Sequence, residues 1–169
     1  MRDQWYGDDR DVLKWSTLVH LARRESVTGI LHVAMYRPSQ PIAPLATATG
    51  LEVDVFKSPF TDRVAYFGEV CGLVRARSGR VIVFLDPDIG IEAEQGGPEH
   101  VTSADIARVF EALRPGDLLV CYQHARRQKG WRGRARRAFA NAPGMPSFDV
   151  EVVESELVRD VLMFSVKKV

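Results

Sequence analysis

Cysteine, long apolar stretches and net charge are all scarce in this chain, and each scarcity excludes a class of protein. Only Cys71 and Cys121 are present. They are too few for a disulfide framework and lack metal-ligand spacing, so both read as buried thiols among apolar neighbours. No apolar run approaches the ~18 residues of a membrane span. The start, Met1-Arg2-Asp3-Gln4-Trp5, is polar and holds no signal-peptide core, so a cytoplasmic location with no membrane partner is expected. A formal net charge of +1 gives no whole-molecule attraction to a polyanion. His20, His32 and His100 show no ligand spacing to one another, so zinc is not expected. Internal repeats and low-complexity segments are lacking.

What is present suits one globular domain over residues 1–169, with 46% hydrophobic residues to fill a core. "DVLKWSTLVHLARR", 11–24, spaces Val12, Trp15, Leu18, Val19 and Ala22 as one helical face, with Asp11 and Arg23-Arg24 suited to the helix dipole. "GILHVAMY", 29–36, reads as a strand ending at Arg37-Pro38, where helix is disfavoured. Pro38, Pro41, Pro44 and Gly50 make 37–50 a loop, and "LEVDVF", 51–56, a short strand. Residues 61–77 read as a helix with Val64, Phe67, Val70, Cys71 and Val74 on one face, stopped by Gly79. "RVIVFLD" and "DLLVCYQHA" are buried strands. Between them a capping box at Thr102-Ser103-Ala104-Asp105 opens a helix that Arg114-Pro115-Gly116 closes. A basic helix at about 130–141 and an alternating two-strand hairpin end the chain.

Continuous apolar runs separated by helices specify an α/β fold. An open, mostly parallel sheet with helices on both faces and a C-terminal antiparallel hairpin is expected. Ligands of such sheets bind beyond the carboxyl ends of the strands. Tyr36-Arg37, Asp86-Pro87-Asp88 and Tyr122-Gln123-His124 stand at three such ends and are expected to share one rim.

An open sheet closed by an antiparallel hairpin resembles the Rossmann-like S-adenosylmethionine-dependent methyltransferases. "YGDDRDVLKW", Tyr6 to Trp15, is similar to the N-terminal segment of the adenine-N6 methyltransferases acting on ribosomal RNA, and "LDPDIGIE" stands where the superfamily carries an Asp/Asn-Pro-Pro-aromatic motif. The resemblance implies S-adenosylmethionine as cofactor, methyl transfer to an amino group such as that of a nucleobase, and Asp86 on the acceptor side. Tyr6, Asp8, Asp11, Lys14 and Tyr36 would line the cofactor side. The strand-end segment "HVAMYRPSQP" carries no glycine, and Asp88-Ile89 stands in place of Pro-aromatic.

The residues also have readings of their own. Asp86, Asp88 and Glu92 could bind a substrate amine or, in a hydrolase of phosphodiesters, hold Mg²⁺; Asp88-Ile89-Gly90 could equally be a plain turn. His124 suits a general base, assisted by Tyr122, with Gln123 an orienting donor, unless all three only reach solvent. Asp11 and Lys14, three apart, make a surface ion pair just as well as a pocket wall. "HARRQKGWRGRARR", 124–137, has seven Lys/Arg in fourteen residues. Arg126, Arg127, Lys129 and Trp131 would contact a nucleic acid, in an enzyme or in a non-catalytic binding module, unless the segment is a solvated helix face.

Overall fold

The computed structural model describes residues 8–35, 49–92, 94–144 and 149–169. Among the described residues, four helices, α1 (Asp9–Glu25), α2 (Arg63–Ala76), α3 (Ser103–Ala112) and α4 (Trp131–Asn141), are interleaved with eight strands. The strands are β1 (Gly29–Ala34), β2 (Glu52–Val55), β3 (Val81–Asp86), β4 (Gly90–Glu92), β5 (His100–Thr102), β6 (Leu118–His124), β7 (Glu151–Val153) and β8 (Val161–Lys167). Six of them form one sheet in the order β2-β1-β3-β6-β8-β7. The first four are mutually parallel, and β8 pairs antiparallel with both β6 and β7. The expected α/β layout with its C-terminal hairpin is therefore present. A second, two-stranded parallel sheet, β4-β5, was not anticipated, because three-residue strands carry too little periodicity to register.

Period-two alternation divides the core in two. Ile30, Ile82, Phe84, Val120 and Met163 face α1, while Leu31, Val33, Val83, Leu85, Leu119 and Phe164 face α2, α3 and α4. Asp8 caps α1 by accepting the amides of Arg10 and Asp11. The capping box of α3 forms as expected, Thr102 and Asp105 each bonding the other's backbone amide. Asp105 also takes Thr102 Oγ1 and the guanidinium of Arg63, whose other donors reach the carbonyls of Gly96 and Gly97 at 2.9 and 2.8 Å.

Two helix faces bury most of the expected residues, with a few exchanges. In α1, Val12 is 55% exposed while Asp11, Lys14, Trp15, Leu18 and Leu21 are buried, so the face against the sheet carries an acid and a lysine. In α2, Val64 is exposed and Tyr66 buried. That helix ends at Ala76, where Arg77 turns extended, before Gly79 is reached.

After β1 the chain turns to β2 on one side, then crosses through α2 to β3 on the other. The order reverses between β1 and β3, which is where ligands enter sheets of this kind. α1 leads directly into β1 and packs along the sheet, which brings its N-terminal turn to the same rim.

Candidate functional site

β3 ends at Asp86, opposite Ala34 of β1, and the pairing continues with the Met35 amide donating to the Asp86 carbonyl at 3.2 Å. The alternation that turns Ile82 and Phe84 toward α1 turns the Asp86 side chain the same way. It is 7% exposed and meets Lys14, whose Nζ lies 2.9 Å from Oδ1 and 3.2 Å from Oδ2. His32 Nε2 lies 3.1 Å from Oδ2. An ionised carboxylate only accepts, so the histidine proton is on Nε2. Asp11 Oδ1 stands 3.6 Å from the same ammonium, which sits 4.1 Å above the centre of the Tyr122 ring. The His32 ring stacks on Phe84 and meets Trp15 edge-on. Its Nδ1 is buried with no hydrogen-bond partner among the described residues.

Electrostatics follow from this packing. Burial pushes the Asp86 carboxyl up, but Lys14 and His32 overcome it and hold the group well below the usual carboxylate range. Burial, reinforced by Asp86, pushes the Tyr122 hydroxyl well above that of a free phenol. Asp11 and Lys14 are thus a buried pair, not a surface one.

A second polar group lies beside Tyr122, nearer solvent. Arg10 donates through Nε and Nη2 to Asp160 Oδ2 at 3.1 and 2.5 Å, joining α1 to the segment before β8. His124 Nε2 is 3.5 Å from the same oxygen, and its Nδ1 is 3.2 Å from the Ala125 carbonyl. His124 is about one-third exposed. Asp86, Tyr122 and His124 are therefore brought to one end of the sheet with Asp8, Asp11 and Lys14, while Tyr6 and Tyr36 lie outside the described residues.

Other expected site residues are occupied by structure. Gln123 accepts the Ile91 amide at 2.8 Å and donates to the His124 carbonyl at 2.6 Å, so its carboxamide fastens the loop after β3 to β6. Arg126 binds Glu92 Oε2 and the Ile91 carbonyl, both at 3.1 Å. The expectation of Mg²⁺ on Asp86, Asp88 and Glu92 finds no support in these partners. Asp86 is turned into the α1 interface by strand alternation, Glu92 is drawn to Arg126, and Asp88 is exposed. Among the described residues, no three His, Cys, Asp or Glu side chains are grouped to hold a metal ion. Arg127 and Lys129 are exposed, and Trp131, at the start of α4, is half-buried against the core with the Arg132 guanidinium 4.9 Å above its ring.

His32, Arg10 and Asp160 were missed by sequence reasoning. His32 was detectable in principle, because it falls two residues after Ile30 on an inward strand position where an unpaired imidazole is costly. Asp160 carried no local signal; only the fold brings it 150 residues back to Arg10.

No family model matches this sequence, and no curated protein matches it. Similarity appears in the fold. A DUF574 family protein from Streptomyces avermitilis superposes with a TM-score of 0.53 at 11% identity, over 95% of this chain and 82% of that one. The release-factor-specific protein-(glutamine-N5) methyltransferase of Alicyclobacillus acidocaldarius gives 0.47 at 15% identity, over 92% and 93%. The N-methyltransferase NodS of Bradyrhizobium japonicum gives 0.43 at 11% identity, over 95% and 98%. The fold, an open and mostly parallel Rossmann-like sheet, is shared with the DUF574 family protein. Among the described residues, no helix is long and apolar enough to cross a membrane.

Proposed function

We propose that this chain is an S-adenosylmethionine-dependent methyltransferase-like protein that acts on an amino group. The observation that carries the reading is the position of Asp86, at the carboxyl end of the strand beside the switch point and against the N-terminal turn of α1. The resemblance of "YGDDRDVLKW" and "LDPDIGIE" to methyltransferase segments falls on those same two elements.

The donor set at the rim suits such a cofactor. Among the described residues, four carboxylates, Asp8, Asp11, Asp86 and Asp160, stand at this rim beside Arg10 and Lys14. A carboxylate-rich rim favours a cationic ligand. S-adenosylmethionine, when bound, supplies a methyl group activated on a positively charged sulfonium. Asp8, Asp11 and Lys14 would line its cavity, with Tyr6 and Tyr36 as further lining by resemblance.

Asp86 is the acceptor-side residue, held ionised by Lys14 and His32 and oriented by His32. His124, partly exposed and backed by Asp160, is the group to receive the proton that the acceptor amine gives up. Tyr122 forms the wall between the two. A nucleobase amine is the form of acceptor that the basic segment 124–137 supports, with Arg127, Lys129 and Trp131 contacting nucleic acid. The test is transfer of labelled methyl from S-adenosylmethionine to RNA or DNA, with Asp86→Ala as control. Label incorporated by the wild type and lost in the variant supports the reading; equal incorporation removes Asp86 from it.

A further inference from the structure

The ammonium of Lys14 has the surroundings of a bound ligand. Two carboxylates, Asp86 and Asp11, approach it at 2.9 and 3.6 Å, and the face of Tyr122 covers it at 4.1 Å. Carboxylate plus aromatic face is a standard recognition set for an organic cation. As a stabilising device the arrangement is poor, because desolvating an ion pair offsets most of its attraction. Apolar residues could fill the same space between α1 and the sheet. The cage also lies at the switch point of the strand order, behind the Arg10–Asp160 pair that joins α1 to the segment before β8. Beside it His32, 2% exposed, turns one ring nitrogen to Asp86 and leaves the other without a described partner.

We propose that Asp86, Asp11 and Tyr122 form a binding site for the ammonium head of an aliphatic amine, and that Lys14 is its internal occupant in the resting chain. A primary alkylammonium reproduces every contact Lys14 makes. The site is a ligand site in its own right and does not rest on the methyl-transfer reading. Lys14 leaves the cage by a local movement of its side chain and the first turn of α1, through breakage of the Arg10–Asp160 pair.

Two measurements, neither containing a methyl donor, test this. In Lys14→Ala the missing atoms from Cγ to Nζ match n-propylammonium, which is expected to bind at least roughly tenfold tighter than n-propanol and to lose that preference when Asp86→Asn is added. Equal binding of amine and alcohol would reveal a plain cavity and overturn the proposal. In the wild type, acetylation of Lys14 by acetic anhydride is followed across sub-denaturing urea. A rate that stays flat reports local release of the lysine. A rate that rises with the full urea dependence of global unfolding marks a permanent structural pair and overturns the proposal even if the variant does not fold. Cofactor binding with a locked Lys14 would leave methyl transfer standing without the cage; a releasable Lys14 in a chain that ignores the cofactor would leave the cage without methyl transfer.

Discussion

The carboxamide of Gln123 receives the Ile91 amide at 2.8 Å, directly beside a Gly90 whose φ is +128°. A Cβ at position 90 would lie 2.6 Å from the carboxamide carbon of Gln123. The loop that follows Asp86 is thus fastened to the end of β6 at a point that admits only glycine.

Gly90→Ala is expected to lose about 1–3 kcal/mol of stability, from backbone strain and from displacement of the Gln123 carboxamide. Urea denaturation of the variant checks this. A midpoint unchanged from wild type would show that the loop is not held as described.

Breaking the Lys14–Asp86 pair from one side leaves a buried charge without its partner. Lys14→Met is expected to cost about 3–5 kcal/mol, and the double variant Lys14→Met, Asp86→Asn less than the two single changes together. A double-mutant cycle on denaturation free energies reads the coupling. Additive losses would contradict a direct pair.

The Asp86 carboxyl is depressed in the folded chain below its unfolded value, ~3.9 for an aspartate. Its contribution to stability is therefore complete above that value and is lost as the pH falls toward the folded one. Glu25, Glu151 and Asp160 are lowered too, by Lys167, Arg24 and Arg10 respectively, and erode over the same acid limb. The expected signature of Asp86 is the difference between proteins: wild type loses more stability than Asp86→Asn between about pH 5 and pH 2. Parallel acid limbs would show that Asp86 is not the group described.

Arg63 ties α3 and the 96–100 turn together through Asp105 and three carbonyls. Arg63→Ala is expected to speed amide hydrogen exchange in 94–102 while leaving β3 and β6 protected. Uniform loss of protection would mean that Arg63 supports the whole fold.

Charge reversal at Arg127 and Lys129, both exposed, is expected to weaken nucleic-acid binding alike across sequences and to lower the salt slope by about one for each phosphate contact removed. An unchanged slope would dissociate nucleic acid from this surface.

The fold was readable because its strands are unbroken apolar runs and its helices carry their own start signals, such as the Thr102–Asp105 capping box. The parallel rim joining Asp86 and His124 followed from that layout. The polar part of the α1 face was not readable, since Asp11 and Lys14 are buried against hydrophobic pattern and only the acid waiting at the end of β3 explains why. Gln123 looked like a substrate donor because sequence cannot reveal that Gly90 and Ile91 fold back onto it. Arg126 drew attention as part of a basic run, yet its charge is answered by Glu92 across the loop.

The central claim is most directly tested by calorimetric titration of the wild-type chain with S-adenosylmethionine. Saturable heat at micromolar concentration, weakened in Asp11→Ala, is the expected result. No heat at millimolar cofactor from a protein shown to be folded would contradict the claim and leave a binding module on a Rossmann-like fold.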